Sequence, residues 1–332
     1  MNYIGSKLKL CNEFLPTTIH QVCGEDLTDM VFCDLFAGTG IVGRTFKSKV
    51  KQVISNDIEL YSFVLNKNYI WNHTPIEGKE KYIDYLNNLF TDDSGFIYNN
   101  YCLGGSGERQ YFSDENGKKI DAARRKINEW KNIGKINEHL YYYLLCSLLE
   151  SADKVANTAS VYGAYLKKLK KSAQKNMVIE GADYELNCND HAVYMEDANL
   201  LIKNISGDIL YLDPPYNSRQ YGANYHLLNT IAEYKEFVPK GKTGLRDYQK
   251  SKYCSAATVS NEFDDLIKNA EFKFIFLSYN NEGLMSESEV KSIMSKYGKY
   301  DLAKTEYQRF KADSNRYNKA DSTIEYLHIL VK

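Results

Sequence analysis

Short apolar runs and long mixed stretches alternate along the chain, and the alternation sets its two ends apart from its middle. Residues 30–36 form an apolar run of strand type, followed at once by Ala37, Gly38, Thr39 and Gly40 and then by a helix-like stretch from Ile41 to Lys49. Residues 52–56 predict a second strand ending at Asp57. From about Trp71 to Asn189 the pattern changes to polar helical stretches, such as 120–131 and 139–149, with a glycine-rich turn at 104–107. Strand-like runs return at 207–212, 272–278 and 323–331. This order predicts an α/β fold: a Rossmann-like doubly wound sheet built from 1–70 plus 192–332, interrupted by a mainly helical insertion over 71–191. No internal repeat or low-complexity tract suggests another architecture.

A length of 332 residues suffices for one large domain with an insertion or for two smaller ones, so it leaves that choice open. The hydrophobic share of 43% and charged share of 26% are ordinary for a globular protein, and no apolar run reaches bilayer length. The opening residues lead into a lysine-dotted stretch without the apolar core of a secretory signal, so a cytoplasmic location is expected. The seven cysteines include no C-x-x-C pair, which favours reduced thiols and no metal site. A net charge of −1 excludes a chain coated in positive charge but not local basic patches that grip a polyanion.

Small residues between a first strand and its helix are often only a tight turn. They also let a backbone approach a ligand at the positive end of a helix, and Asp57 stands near the offset at which such folds place an acid on a ribose. The turn lacks the third glycine of a dinucleotide fingerprint and the lysine of a triphosphate loop, so a nucleoside without phosphates fits better. S-adenosylmethionine is such a ligand. Asp197, followed by Ala198 just past a strand-like segment, is a candidate acceptor for its adenine amino group; a plain helix N-cap is the competing reading.

Asp213, Pro214, Pro215 and Tyr216 follow the apolar run 207–212, which puts a carboxylate, two prolines and an aromatic ring at the carboxyl edge of a strand, where open α/β sheets bind ligands. Without N–H groups the prolines leave a carbonyl of Asp213 or Pro214 available as a preorganised acceptor. A carboxylate and a carbonyl together hold the two N–H bonds of an amine conjugated to a purine, aim its lone pair and stabilise positive charge on nitrogen. Tyr216 is suited to stack on the extruded base. Simple punctuation after a strand is the alternative for the diproline in isolation.

With Phe36-x-Gly38-x-Gly40 after one strand, an acid after the next and Asp213 to Tyr216 after a later one, the chain resembles the DNA adenine-N6 methyltransferases of the Dam-like (D12) class found in bacterial restriction-modification systems. The likeness spans essentially the whole length. It implies a methyltransferase sheet with a helical target-recognition insertion, S-adenosylmethionine as cofactor and double-stranded DNA as substrate. By the same resemblance Tyr3, Ile4, Gly5 and Lys7 match the N-terminal cofactor element, whose lysine faces the reaction centre. Phe36, Gly38 and Gly40, with the intervening Ala37 and Thr39 and with Asp34 before them, match the methionine-binding loop, and Asp57 the ribose acid. Asp197 matches loosely. The opening residues and the stretch 219–226 resemble a subgroup that methylates the palindrome CATG, which implies a cognate restriction endonuclease sharing that site. The oligomeric state stays open, a monomer on DNA being one option.

For phosphate contacts the candidates are Lys167, Lys168 and Lys171, in a run of the kind that a solvated helix face presents, and Lys240, Lys242, Arg246 and Lys252 in a loop-like basic stretch. Arg109, Arg219 and Gln220 are candidates for base reading. Cytosine-C5 chemistry is excluded, because none of the five prolines precedes a cysteine. Three rivals remain: a methyltransferase acting on RNA or a protein amide, often headed by Asn where Asp213 stands; a catalytically silent DNA-binding module; and a nicotinamide oxidoreductase, which the missing third glycine disfavours.

Overall fold

A computed structural model of the chain describes residues 7–90, 94–308 and 322–332, so Tyr3, Ile4 and Gly5 lie outside the described residues. The chain divides into two compact units, one comprising 7–58, Asn187–Gln220 and Gln249–Lys332, the other Glu59–Leu186 and Tyr221–Tyr248.

The first unit is a seven-stranded sheet. Its strands are β1 (Val31–Asp34), β2 (Gln52–Asn56), β3 (Ala192–Tyr194), β4 (Ser206–Leu212), β5 (Glu271–Asn280), β6 (Lys299–Gln308) and β7 (Ser322–Val331), in the spatial order β3-β2-β1-β4-β5-β7-β6. The first five run parallel. Their centres are covered on both faces, which is why Phe32, Cys33, Val53, Ile54, Ile209, Leu210, Ile275 and Phe276 read as near-continuous apolar runs. β7 is antiparallel to both β5 and β6, so the doubly wound sheet expected from sequence carries an antiparallel hairpin at one edge. β6 itself is not legible as a strand: Lys299, Asp301, Lys304 and Glu306 are dispersed along an exposed edge, a usual way of blunting edge pairing.

The second unit is mainly helical, with helices Leu60–Asn66, Lys79–Asn87, Phe96–Tyr101, Asp114–Asn132, Glu138–Val155, Tyr221–Asn224 and His226–Glu233 around a core that includes Ile127, Trp130, Leu144 and Leu148. The two long helices start on side-chain caps: Ser113 accepts from the Asn116 N–H and Asn137 from the Leu140 N–H. The unit's limits differ from the 71–191 insertion expected from sequence. Residues from Glu59 and the segment Tyr221–Tyr248 join it through buried polar bonds. The Tyr61 N–H donates to Asn229 Oδ1 at 2.9 Å, Asn229 Nδ2 to Glu59 Oε2 at 2.6 Å, and the buried Arg124 to the carbonyls of Ile231 and Ala232 at 2.9 and 2.7 Å. Such links join segments far apart in sequence and leave no mark in a hydrophobic pattern.

Past Val155 the chain runs without helix to Leu186. Side chains on the helices stand in for a ladder there: Asn116 Oδ1 accepts from the Met177 N–H at 2.8 Å, Asn87 Oδ1 from Ile179 N–H at 2.8 Å, and Ser147 Oγ from Ala182 N–H at 3.0 Å. The lysine run 161–171 is therefore irregular backbone rather than the face of a helix.

Candidate functional site

Parallel pairing brings the carboxyl ends of β3, β2, β1 and β4 to one edge of the sheet. Asp34, the last residue of β1, lies across from Tyr211 of β4, and the Leu35 N–H still bonds the Tyr211 carbonyl at 3.2 Å, so the glycine turn and the Asp213 turn leave from adjacent strands. Gly38 and Gly40 have φ of +53° and +74°, a region in which a Cβ is strained, and Gly40 opens the helix Ile41–Phe46. The Gly38 N–H donates to Asp57 Oδ2 at 2.8 Å, which ties the turn to the acid at the end of β2. Ala37 is held from its other side, its N–H donating to the Asn56 carbonyl at 2.9 Å. Thr39 is half-buried beside them. Asp34 accepts from the Gly43 N–H at 3.1 Å, and burial pushes its carboxyl up to about 8. Phe36 stands edge-on to Tyr253, ring centroids 5.1 Å apart.

Asn56 is a residue that sequence reasoning missed. Buried at the end of β2, it donates to the Leu35 and Glu196 carbonyls, both at 3.1 Å, and accepts from the Glu196 N–H at 3.0 Å. One amide thereby locks the exits of β1, β2 and β3. Its only sequence signal is a polar residue closing an apolar strand beside the expected acid.

The Asp213 carboxylate is mostly buried and lies 3.3 Å from Lys7 Nζ. Lys7 also forms an ion pair with the buried Glu325 of β7, whose Oε1 accepts in addition from Ser278 Oγ at 2.8 Å. Burial alone would lower the lysine; the carboxylates of Asp213 and Glu325 outweigh it and hold the ammonium well above its ordinary range. Burial pushes Asp213 up to about 6, against the pull of Lys7 and with a further push from Glu325. The structure thus brings together Lys7 and Asp213, both marked in the sequence, through Glu325 and Ser278, which are not. The Pro214 carbonyl accepts no hydrogen bond among the described residues. Tyr216 is half-buried, its carbonyl accepting from the Leu284 N–H at 3.0 Å.

Asp197 takes the N-cap place: Oδ1 accepts from the N–H groups of Asn199 and Leu200 at 2.9 and 3.2 Å, opening a short helix that begins with the buried Ala198. It also lines a cleft of about 340 Å³ with Leu200, Lys252 and Glu262, so capping and facing a ligand are compatible.

The basic candidates separate into two groups. Lys167, Lys168, Lys171, Lys242 and Arg219 are exposed, with no side-chain ion pair among the described residues. Others have partners: Lys240 with Asp247 at 2.6 Å, Lys252 with Glu262 at 2.9 Å, and Arg246 with Glu233. Gln220 exchanges two bonds with the Ser251 backbone, at 3.2 and 2.8 Å. Arg109 is committed to main chain rather than presented for bases. Its Nε, Nη1 and Nη2 donate to the carbonyls of Lys242, Asn100 and Gly241 at 3.2, 3.0 and 3.1 Å, and clamp the tight loop Lys240 to Leu245. Within that loop Gly244 has φ +68°, and a Cβ there would meet Tyr101 and Arg109 at 2.8 and 2.9 Å.

A Rossmann-like sheet whose first strand ends in a tight glycine turn, whose second ends in an acid, and whose neighbouring β4 ends in a carboxylate, two prolines and a tyrosine defines a methyltransferase of the class that acts on amino nitrogens. Residues 3–293 match the model of the D12 class N6 adenine-specific DNA methyltransferases, and the chain belongs to that family. It is 64% identical over 334 residues to the type II methyltransferase M.NlaIII of Neisseria lactamica, covering 100% of this chain and 99% of that protein. It is 41% identical to the type II methyltransferase M.FokI of Planomicrobium okeanokoites, covering 100% of this chain but 53% of that one. With M.CviAII of Paramecium bursaria Chlorella virus 1 the identity is 39%, covering 94% and 93%. The protein is therefore a site-specific DNA methyltransferase acting on adenine N6, which sets aside the RNA, protein-amide, oxidoreductase and silent-module readings. The family implies S-adenosylmethionine as methyl donor and DNA as substrate. Among the described residues no helix is long and apolar enough to cross a membrane.

Proposed function

We propose that the carboxyl edge of β1, β2 and β4 binds S-adenosylmethionine and that Asp213 to Tyr216 hold the target amine against it. The observation that carries this reading is the mostly buried Asp213 carboxylate, ion-paired to Lys7 just past the end of β4, the neighbour of the strand that leads into the glycine turn. The residues present fit the cofactor. Gly38 and Gly40 present no Cβ at the two left-handed positions of the turn, Asp57 stands at the strand end suited to ribose hydroxyls, and Asp197, just before the buried Ala198, lines a cleft on which an adenine amino group would find an acceptor. Phe36, Ala37 and Thr39 complete the turn, with Asp34 bracing the helix behind it.

When bound, the cofactor supplies an electrophilic methyl on a sulfonium. The chain's own part is orientation and charge. Asp213, predominantly ionised at neutral pH, accepts one N–H of the adenine amino group, and the Pro214 carbonyl, which has no hydrogen-bond partner among the described residues, accepts the other. Two acceptors would turn the nitrogen out of conjugation and orient its lone pair, and would stabilise the positive charge it gains on taking the methyl; the S–C bond electrons stay with the sulfur as a neutral thioether, and the nitrogen then gives up one proton. Pro215 fixes the turn, and the Tyr216 ring stacks on the extruded base. That stacking contributes about 1–3 kcal/mol against an extrusion cost of a few kcal/mol.

The helical unit supplies target recognition in this reading, with Lys167, Lys168, Lys171 and Lys242 on phosphates and Arg219 as the base-reading candidate whose side chain is exposed. The target is the palindrome CATG, and methylation protects it from a cognate endonuclease. The stretch 219–226 and the 64% identity to a type II methyltransferase support this. The test uses labelled S-adenosylmethionine and unmethylated duplexes with and without CATG, followed by nucleoside analysis. N6-methyladenine is expected only in the CATG duplex, and D213A should abolish it while calorimetry shows cofactor binding retained. Activity persisting in D213A would remove Asp213 from the chemistry; label in both duplexes would remove the target.

A further inference from the structure

Lys7 and Glu325 stand 318 residues apart and meet in the interior of the sheet unit. Glu325 is 5% exposed and is held by Ser278 from β5, while Lys7 reaches onward to Asp213 Oδ1. Two carboxylates thus share one ammonium, and the cluster keeps a net negative charge. If Lys7 served Asp213 alone, the ammonium would settle on that carboxylate and weaken it as an acceptor. A buried ion pair is by itself weak evidence for a stabilising role, because desolvation cancels much of the attraction.

We propose that Glu325 is a positioning residue for methyl transfer: it anchors the Lys7 ammonium so that Lys7 pins Asp213 by Oδ1, leaving Oδ2 and the residual negative charge for the target amine. This rests on the reading of Asp213 as the acceptor. Among the described residues the titratable and charged groups near Asp213 are Lys7 and Cys11 from the chain's first helical turns, Asp34 from β1, Tyr211 from β4 and Glu325 from β7, with Ser278 of β5 bonded to Glu325 behind them. Among the charged ones Lys7 holds Asp213 down and Glu325 pushes it up. Replacing Glu325 by its neutral isostere removes the push and frees Lys7 for Asp213. Both effects move Asp213 the same way.

The experiment compares wild type, E325Q and E325D in steady-state and single-turnover methylation of a CATG duplex between pH 5 and 9, with D213A as reference. E325Q should lower kcat by about tenfold to a hundredfold, the cost of a small misplacement of a reacting group, while KM for DNA and cofactor changes little. Its acid limb should move about one pH unit lower. E325D keeps the charge pair, and with it the fold, but draws Lys7 back; it should lose kcat without that displacement of the limb. Wild-type kcat in E325D, or an E325Q limb that stays in place or moves up, overturns the proposal. If D213A alone is inactive and both Glu325 variants behave as wild type, Asp213 stands and the positioning role falls. If D213A is active, both fall. Should E325Q not fold, the kcat of E325D decides.

Discussion

Substituting Lys7 by glutamine gives the sharpest test of the acceptor chemistry, because its effect on pH dependence has the opposite sign to that of the Glu325 change. Asp213 sits at about 6 with the ammonium 3.3 Å away. An opposite charge at such range lowers a carboxyl by about 1–3 pH units, so its removal should carry Asp213 to roughly 7–9, and Glu325, left uncompensated, pushes the same way. A protonated carboxyl still accepts through its carbonyl oxygen, but only the ionised form is a strong acceptor that also offsets positive charge on the nitrogen. At pH 7.5 the carboxylate fraction should fall from about 97% to roughly a quarter if the displacement is two units, and the deficit should shrink steadily as pH rises. Lost pinning of the carboxylate adds a pH-independent loss on top. The assay is single-turnover transfer of labelled methyl from pH 5 to 9.5 at constant ionic strength, which keeps product release from masking chemistry. Cofactor binding measured on the same preparation reports whether the site is intact. A K7Q acid limb superimposable on that of wild type, or displaced to lower pH, would falsify the account of Asp213 as an ionised acceptor tuned by Lys7.

Two further outcomes are expected. D197S keeps an N-cap oxygen but not the carboxylate, so it should retain stability to within a few tenths of a kcal/mol while D197A loses about 1 kcal/mol in chemical denaturation; if Asp197 also holds the cofactor's adenine, both weaken cofactor binding in calorimetry, and unchanged binding in both would confine it to capping. K242A should flatten the dependence of log binding constant on log salt by about 0.9, the release expected for one phosphate, with sequence preference intact, whereas R109A should lower affinity for all sequences through loss of the loop it clamps. Relaxed preference at a single base pair in R109A would return Arg109 to base reading.

How much of the site was legible follows from where its information is stored. The turn at Gly38 and Gly40 and the tetrapeptide from Asp213 to Tyr216 are contiguous, so strand, special backbone and reactive group appear together in the text of the chain. Lys7 could be marked only by its likeness to a family element, and Glu325 not at all, since a lone acid in a strand-like run near the C-terminus looks the same whether it faces solvent or a buried ammonium. Arg109 shows the reverse error: an arginine beside glycines looks available for recognition, yet all three of its nitrogens are consumed by carbonyls, one near in sequence and two more than 130 residues away.

The sequence by itself determined the parallel core, because strands covered on both faces must be apolar throughout and are punctuated by glycine or proline where the chain turns at the carboxyl edge. It also pointed to the class of chemistry, through the glycine turn, the acid after the next strand and the tetrapeptide from Asp213 to Tyr216 taken together, since the tetrapeptide in isolation could be punctuation. Tertiary structure alone decided the antiparallel β7 between β5 and β6, the allegiance of Glu59 and Tyr221–Tyr248 to the helical unit, and the meeting of Lys7, Glu325 and Asp213. Hydrophobic periodicity records which face of an element is buried but not what it is buried against. Charges and amides are paired by whatever the fold brings to them.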